Sequence, residues 1–180
     1  RYLFAFLSAI ILYLSWPPLP LSPLLLVGFI PLFLALLDVL KSEENNKGRI
    51  IFRLSFLTFF VFNTLSVYWI FNAISAYNTG ATGMVTSALV SLIPYTLGPL
   101  LCAGGIWLAY RVTLNHKIWV KAFALITFVL SAEYLQQSWD LSFPWMTLGN
   151  GFSSLHQLIQ WYEFTGVYGG TTWILLSNIL

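Results

Sequence analysis

The sequence is poor in charge. Of its 180 residues only 8% are Asp, Glu, Lys or Arg, against about 25% in a soluble domain. From Leu54 to Tyr110 there is none at all. Such a stretch offers no surface to water and suits two membrane spans of roughly 20 apolar residues each, with a short connection. Cysteine is nearly absent too. With Cys102 alone no intrachain disulfide can form, and cysteine usage reveals no redox compartment. HExxH, phosphate-loop and paired-cysteine motifs are lacking, which removes the common sequence signatures of zinc, nucleotide and redox sites. The net charge of +2 does not point to nucleic acid, because the basic residues sit in short clusters between apolar runs, as topology determinants do.

What is abundant is apolar surface. Hydrophobic residues make up 58% of the chain and aromatic residues 18%, with eight Trp, a composition suited to lipid-facing and interfacial positions. Read for apolar runs, the chain is an all-α polytopic transmembrane bundle of about six spans of near-membrane length. They are expected at residues 2–16, 24–40, 50–75, 84–110, 118–137 and 164–180. Arg1 with the run that follows resembles a signal-peptide core. The rigid turn Pro17-Pro18-Leu19-Pro20 lacks a small-x-small cleavage pattern, so the run reads as a short first span. Pro31, Pro94 and Pro99 fall inside spans. Neighbouring helices re-satisfy the carbonyls that such prolines free, so Pro94 and Pro99 are expected to kink the fourth helix rather than end it. A chain that opens on Arg1 and stops at Leu180 within an apolar run reads as a fragment of a longer protein.

Orientation follows from Lys and Arg. Arg1 precedes the first span, Lys41, Lys47, Arg49 and Arg53 surround the second connection, and Arg111, Lys117 and Lys121 surround the fourth. The connections 17–23, 76–83 and 138–163 hold no Lys or Arg. All eight basic residues thus fall on one side, expected to be the cytoplasm, with the N-terminus inside and the 138–163 loop outside. The segment Lys41–Gly48 reads as a solvated connection.

Chemistry has few places to reside. Cys102 lies within a span, where a thiol in apolar surroundings is inert, so it reads as packing. His116 and His156 fall on opposite sides and cannot share a metal, and no metal or cofactor is expected. Two carboxylates are candidates because ionisable groups at membrane depth are rare. Glu133 stands about a turn from the outer end of the fifth span, with Gln136 and Gln137 on its face. Glu163 opens the last span, where the helix dipole favours it in any case. The structural alternative for both is a wet interfacial position, or capping and orienting the loop between them. Gly166 with Gly170, and Gly104 with Gly105, read as close-packing pairs. The loop itself is the most informative stretch. Trp139, Phe143, Trp145, Met146, Leu148 and Phe152 set against one charge, Asp140, make it either an interfacial segment or one packed on the bundle.

At this loop the chain resembles a known family. Glu133-Tyr134-Leu135, then Phe143-Pro144-Trp145-Met146-Thr147-Leu148-Gly149, then Gly166-Val167-Tyr168-Gly169 and Asn178 resemble the motif order of apolipoprotein N-acyltransferases. Ser15-Trp16-Pro17-Pro18 and Gly28-Phe29-Ile30-Pro31-Leu32 resemble the opening of the same family. Gln136 departs from it, since many members carry Arg there.

The resemblance implies a bacterial inner-membrane acyltransferase of lipoprotein maturation. A nitrilase-like domain after a seventh span, outside this fragment, would supply a Glu-Lys-Cys triad. That triad takes an acyl chain from phospholipid as a thioester and passes it to the α-amino group of a diacylglyceryl lipoprotein. The implied partners are the phospholipid donor, the lipoprotein acceptor and membrane lipids, with no nucleic acid. No residue here matches the triad, so the fragment alone is expected to be inactive. The candidates for lipid or substrate contact are Glu133, Phe143, Pro144, Trp145, Gly149 and Glu163. A transporter or channel subunit is the alternative. Few ionisable residues within the spans and no repeated broken-helix pair speak against it.

Overall fold

A computed structural model describes residues 1–77 and 80–180. Among the described residues the only regular structure is helical. Helix α1 runs Tyr2–Leu14, a 3₁₀ turn covers Ser22–Leu26, and α2 runs Ile30–Lys41. Then follow α3 (Lys47–Ser66), α4 (Trp69–Ser75), α5 (Gly80–Val112) and α6 (Ile118–Ser138). Two 3₁₀ segments, Pro144–Met146 and Leu148–Ile159, lead to α7 (Tyr162–Ile179). Four segments are long and apolar enough to cross a membrane: Ser22–Lys41, Lys47–Ser66, Gly80–Val112 and Ile118–Ser138. Helix α1, of 13 residues, and α7, of 18, are shorter.

The bundle has two unlike ends. At one, the Arg1 guanidinium pairs with Asp38 and Glu44, and Lys121 caps α5 through the carbonyls of Thr113 and Leu114. Gly48 there lies against Trp107 and Tyr110, so the start of α3 meets the end of α5. All eight basic residues gather at or near this end through the alternation of the helices. At the other end the 3₁₀ segments fold over the helix ends. Ser22 and Ser154 share a hydrogen bond of 3.1 Å, and Phe152 stacks on Trp173 at 5.1 Å.

Between the ends the core is apolar, with Phe29, Phe62, Leu12, Leu32 and Leu54 almost wholly buried. Trp16 packs edge-on against Phe62. Outward-facing Leu89, Leu92, Phe123 and Trp119 remain exposed, the apolar exterior of a protein solvated by lipid. Asn178 closes a gap in the backbone ladder. It accepts from the Phe29 N–H at 2.7 Å and donates to the Leu25 carbonyl at 2.8 Å, where the chain passes from 3₁₀ turn to α2 and leaves those groups without helical partners.

Several boundaries differ from expectation. The apolar run 50–75, read as one span, is divided, because Val67 leaves helical geometry. The polar cluster Asn63, Thr64 and Ser66 precedes the break, and Tyr95 stabilises it by donating to the Tyr68 carbonyl and accepting from the Phe71 N–H. Helix α5 starts at Gly80 rather than residue 84 and continues through Pro94 and Pro99, with Asn63 donating to the Pro94 carbonyl at 3.0 Å. The expected connection 76–83 includes Asn78 and Thr79, which lie outside the described residues. The last helix is broken at Gly166, whose φ of +63° is readily adopted only by glycine.

Candidate functional site: a pinned loop and a lateral groove

Helix α6 buries one stripe, Ile126, Val129, Ala132, Glu133 and Gln136, at the three- and four-residue spacing that lines one helix face. Two polar residues end the stripe, and they face different neighbours.

Glu133 is 2% exposed and its two carboxylate oxygens are both engaged. Oε1 accepts from the Leu148 N–H and Oε2 from the Thr171 hydroxyl, each at 2.8 Å. Thr171 Oγ1 in turn accepts from the Gly149 N–H at 3.0 Å, and the Tyr162 hydroxyl donates to the Gly149 carbonyl at 2.9 Å. A single carboxylate thereby joins α6, the loop and α7. Gly149 sits against the Val167 backbone where a side chain has no room. Gln137 extends the node by donating to Thr147 Oγ1 at 3.0 Å. The loop therefore re-enters the bundle at residues 147–149 rather than lying over it.

The apolar loop residues divide accordingly. Met146, Leu148 and Phe152 are buried, whereas Trp145 is 61% exposed. The Trp145 ring stands edge-on to Trp69 of α4, with centroids 5.9 Å apart, and Trp69 is itself half exposed. Pro144 is exposed and Phe143 half-buried. The Phe143 N–H returns to the Gln136 carbonyl at 3.1 Å. The loop is packed on the bundle at Leu148 and Phe152, whereas Trp145 projects from it. Glu163 lies apart, exposed in the first turn of α7.

The second polar residue of the stripe, Gln136, faces a lateral groove of about 530 Å³ between α4, α5, the end of α6 and the loop. Ile70, Ile93, Leu97 and Phe143 are among its walls. A second cavity, of about 390 Å³, lies near the basic end among α2, α5, α6 and α7. Lys121, its one charged lining residue among the described residues, is committed to the carbonyls of Thr113 and Leu114 just past the end of α5.

Of the expected candidates, Glu133 and Gly149 meet in one node, and Phe143, Pro144 and Trp145 belong to the loop that this node holds. Glu163 does not join them. Sequence reasoning missed Thr171, Tyr162 and Trp69. The signal for Thr171 was a hydroxyl within an apolar helix, a frequent interhelical partner. The glycine pairs also divide. Gly105 packs against Phe128 and Gly170 against Tyr162, while Gly104 faces open space and Gly166 serves as the break in α7.

Fold and site together define a multi-pass helical membrane protein with a re-entrant aromatic loop at one end. The sequence profile of the apolipoprotein N-acyltransferase N-terminal domain matches residues 8–180, and the chain belongs to that family. Among similar proteins, the apolipoprotein N-acyltransferase of Chlorobaculum tepidum is 25% identical over 177 residues, covering 97% of this chain and 30% of the relative. That of Geobacter metallireducens is 31% identical over 183 residues, covering 99% and 32%. The chain thus spans about a third of the length of the curated relatives it matches. No solved structure matches it.

Proposed function

We propose that this chain is the membrane platform of a bacterial inner-membrane enzyme that N-acylates lipoproteins. The enzyme moves an acyl chain from phospholipid to the N-terminal diacylglyceryl-cysteine. The N-terminus and basic end face the cytoplasm, and the loop end faces the opposite side. The observation that carries this reading is the match of the family profile to nearly the whole chain, with the motif at 143–149 falling on the pinned loop. The family's nitrilase-like domain, borne downstream, supplies the nucleophile, and the loop end meets that domain at the level of lipid headgroups. Trp145 and Trp69 suit this position, since exposed indoles favour the membrane interface.

The platform alone has no acyltransferase chemistry. Cys102 is buried in α5, and the lysines lie at the basic end of the bundle. The purified 180-residue chain, given phospholipid and a diacylglyceryl lipopeptide, is expected to form no N-acylated product, whereas the full-length protein forms it. Product from the chain alone that vanishes with Cys102→Ser contradicts the assignment of chemistry to a downstream domain.

A further inference from the structure

Helix α4 depends on its neighbours for its place. It has seven residues, too few for a helix to persist in isolation. The departure of Val67 from helical geometry separates it from α3, and Tyr68 at its N-terminus supplies no side-chain cap. Of its own residues only Ile70 is buried.

Two consecutive residues of α5 hold the chain on either side of the break. Before it, Asn63 donates to the Pro94 carbonyl at 3.0 Å. After it, the Tyr95 hydroxyl donates to the Tyr68 carbonyl at 3.0 Å and accepts from the Phe71 N–H at 3.2 Å. First-turn N–H groups of a helix have no partner within it, so this one hydroxyl takes the part of the missing cap from a neighbouring helix.

Trp69 directly follows the carbonyl that Tyr95 holds. Its ring meets Trp145 edge-on, with centroids 5.9 Å apart and planes at 70°, a favoured aromatic arrangement. The loop tip is thus held from two sides. From within, the Glu133 node fixes the backbone at Leu148 and, through Thr171, at Gly149. From outside, Trp69 bears on the Trp145 ring. That ring is 61% exposed and stands on a 3₁₀ segment of three residues, so several rotamers are open to it. An edge-on partner selects among them.

We infer that Tyr95 is a positioning residue for N-acylation: its hydroxyl holds α4 so that Trp69 keeps the Trp145 ring in the orientation the reaction uses. Tyr95 acts through α4 and the indole pair and takes no part in the chemistry. The inference rests on reading the loop end as the face where lipid and lipoprotein are handled, and it adds the residue that sets the loop's aromatic tip.

The test uses the full-length protein in phosphatidylcholine nanodiscs, with Tyr95→Phe removing the hydroxyl alone. Hydrogen exchange followed by mass spectrometry reads the opening of α4. Exchange across Trp69–Ser75 should rise about two- to tenfold, the range set by one neutral hydrogen bond, while α6 exchanges as in the wild type. N-acylation is then measured for Tyr95→Phe, Trp69→Ala and the double variant. Each single variant should lose activity. The double variant should lose no more than Trp69→Ala alone, because both changes act through one contact. A tyrosine that only stabilised the bundle would multiply its loss with that of Trp69→Ala.

Unchanged exchange in α4, or losses that multiply in the double variant, overturns the inference. Should Tyr95→Phe fail to fold, Trp69→Ala decides. Reduced activity at unchanged thermal stability supports the brace, and full activity overturns it. Exchange is scored without reference to activity. Faster α4 exchange in Tyr95→Phe, from a wild type that does not N-acylate, leaves the hold on α4 standing and removes the platform reading. A wild type that N-acylates, with α4 exchange indifferent to Tyr95, does the reverse.

Discussion

At Glu133 a carboxylate within an apolar helix accepts from two elements at once, the loop through Leu148 and α7 through Thr171. Removing it leaves two buried donors without an acceptor, at about 1–3 kcal/mol each. Glu133→Ala is therefore expected to lower unfolding stability in detergent by at least about 2 kcal/mol. Glu133→Gln, which keeps one acceptor oxygen, should lose less. Equal stability of Glu133→Ala and wild type would show that the node does not hold the loop. Trp145 presents the opposite case. Its exposed ring contributes little to packing, so Trp145→Ala should stay within about 0.5 kcal/mol of wild type while N-acylation by the full-length protein falls. Phe152→Ala, in the core, should cost about 3–5 kcal/mol and lower activity only in proportion to folded protein. If Trp145→Ala loses stability and activity together, or neither, the loop has no part in engaging lipid.

Among the elements, the helices built on continuous apolar runs without an interruption were the most legible. An apolar stretch such as 118–137 has one low-energy structure in lipid, because every backbone group must be satisfied internally, and α6 covers it as Ile118–Ser138. The breaks were not legible, since each depends on a partner distant in sequence. Val67 leaves the helix where Tyr95 serves the freed backbone, and nothing in residues 63–68 announces a tyrosine nearly 30 positions on. The loop motif 143–149 was visible as a pattern. Its re-entry was not, because Glu133 and Thr171 are separated by 38 residues. Paired glycines misled for the same reason, their roles being set by what lies opposite. Gly105 faces the Phe128 carbonyl with 2.8 Å left for a Cβ, while Gly104 faces open space. Gly105→Ala should force α5 from α6 at about 1–3 kcal/mol. Gly104→Ala should be neutral or stabilising by up to about 1 kcal/mol. Equal effects in a thermal-unfolding series would contradict the α5–α6 packing.

For the molecule as a whole, the governing feature is polarity between its ends. One gathers Arg1, Lys47, Arg111, Lys117 and the other basic residues; the other carries the pinned loop, the paired indoles of Trp69 and Trp145 and the mouth of the lateral groove. A platform for lipoprotein N-acylation requires the second end to lie on the side where lipid and lipoprotein meet the catalytic domain, away from the cytoplasm. Single cysteines at Asn150 and at Asn45, each in a Cys102→Ser background, test this in intact cells with a membrane-impermeant thiol reagent. The account predicts labelling at Asn150, which is exposed on the loop and donates to the Pro144 carbonyl, and none at Asn45 until the membrane is breached. Labelling at Asn45 with Asn150 protected would contradict it.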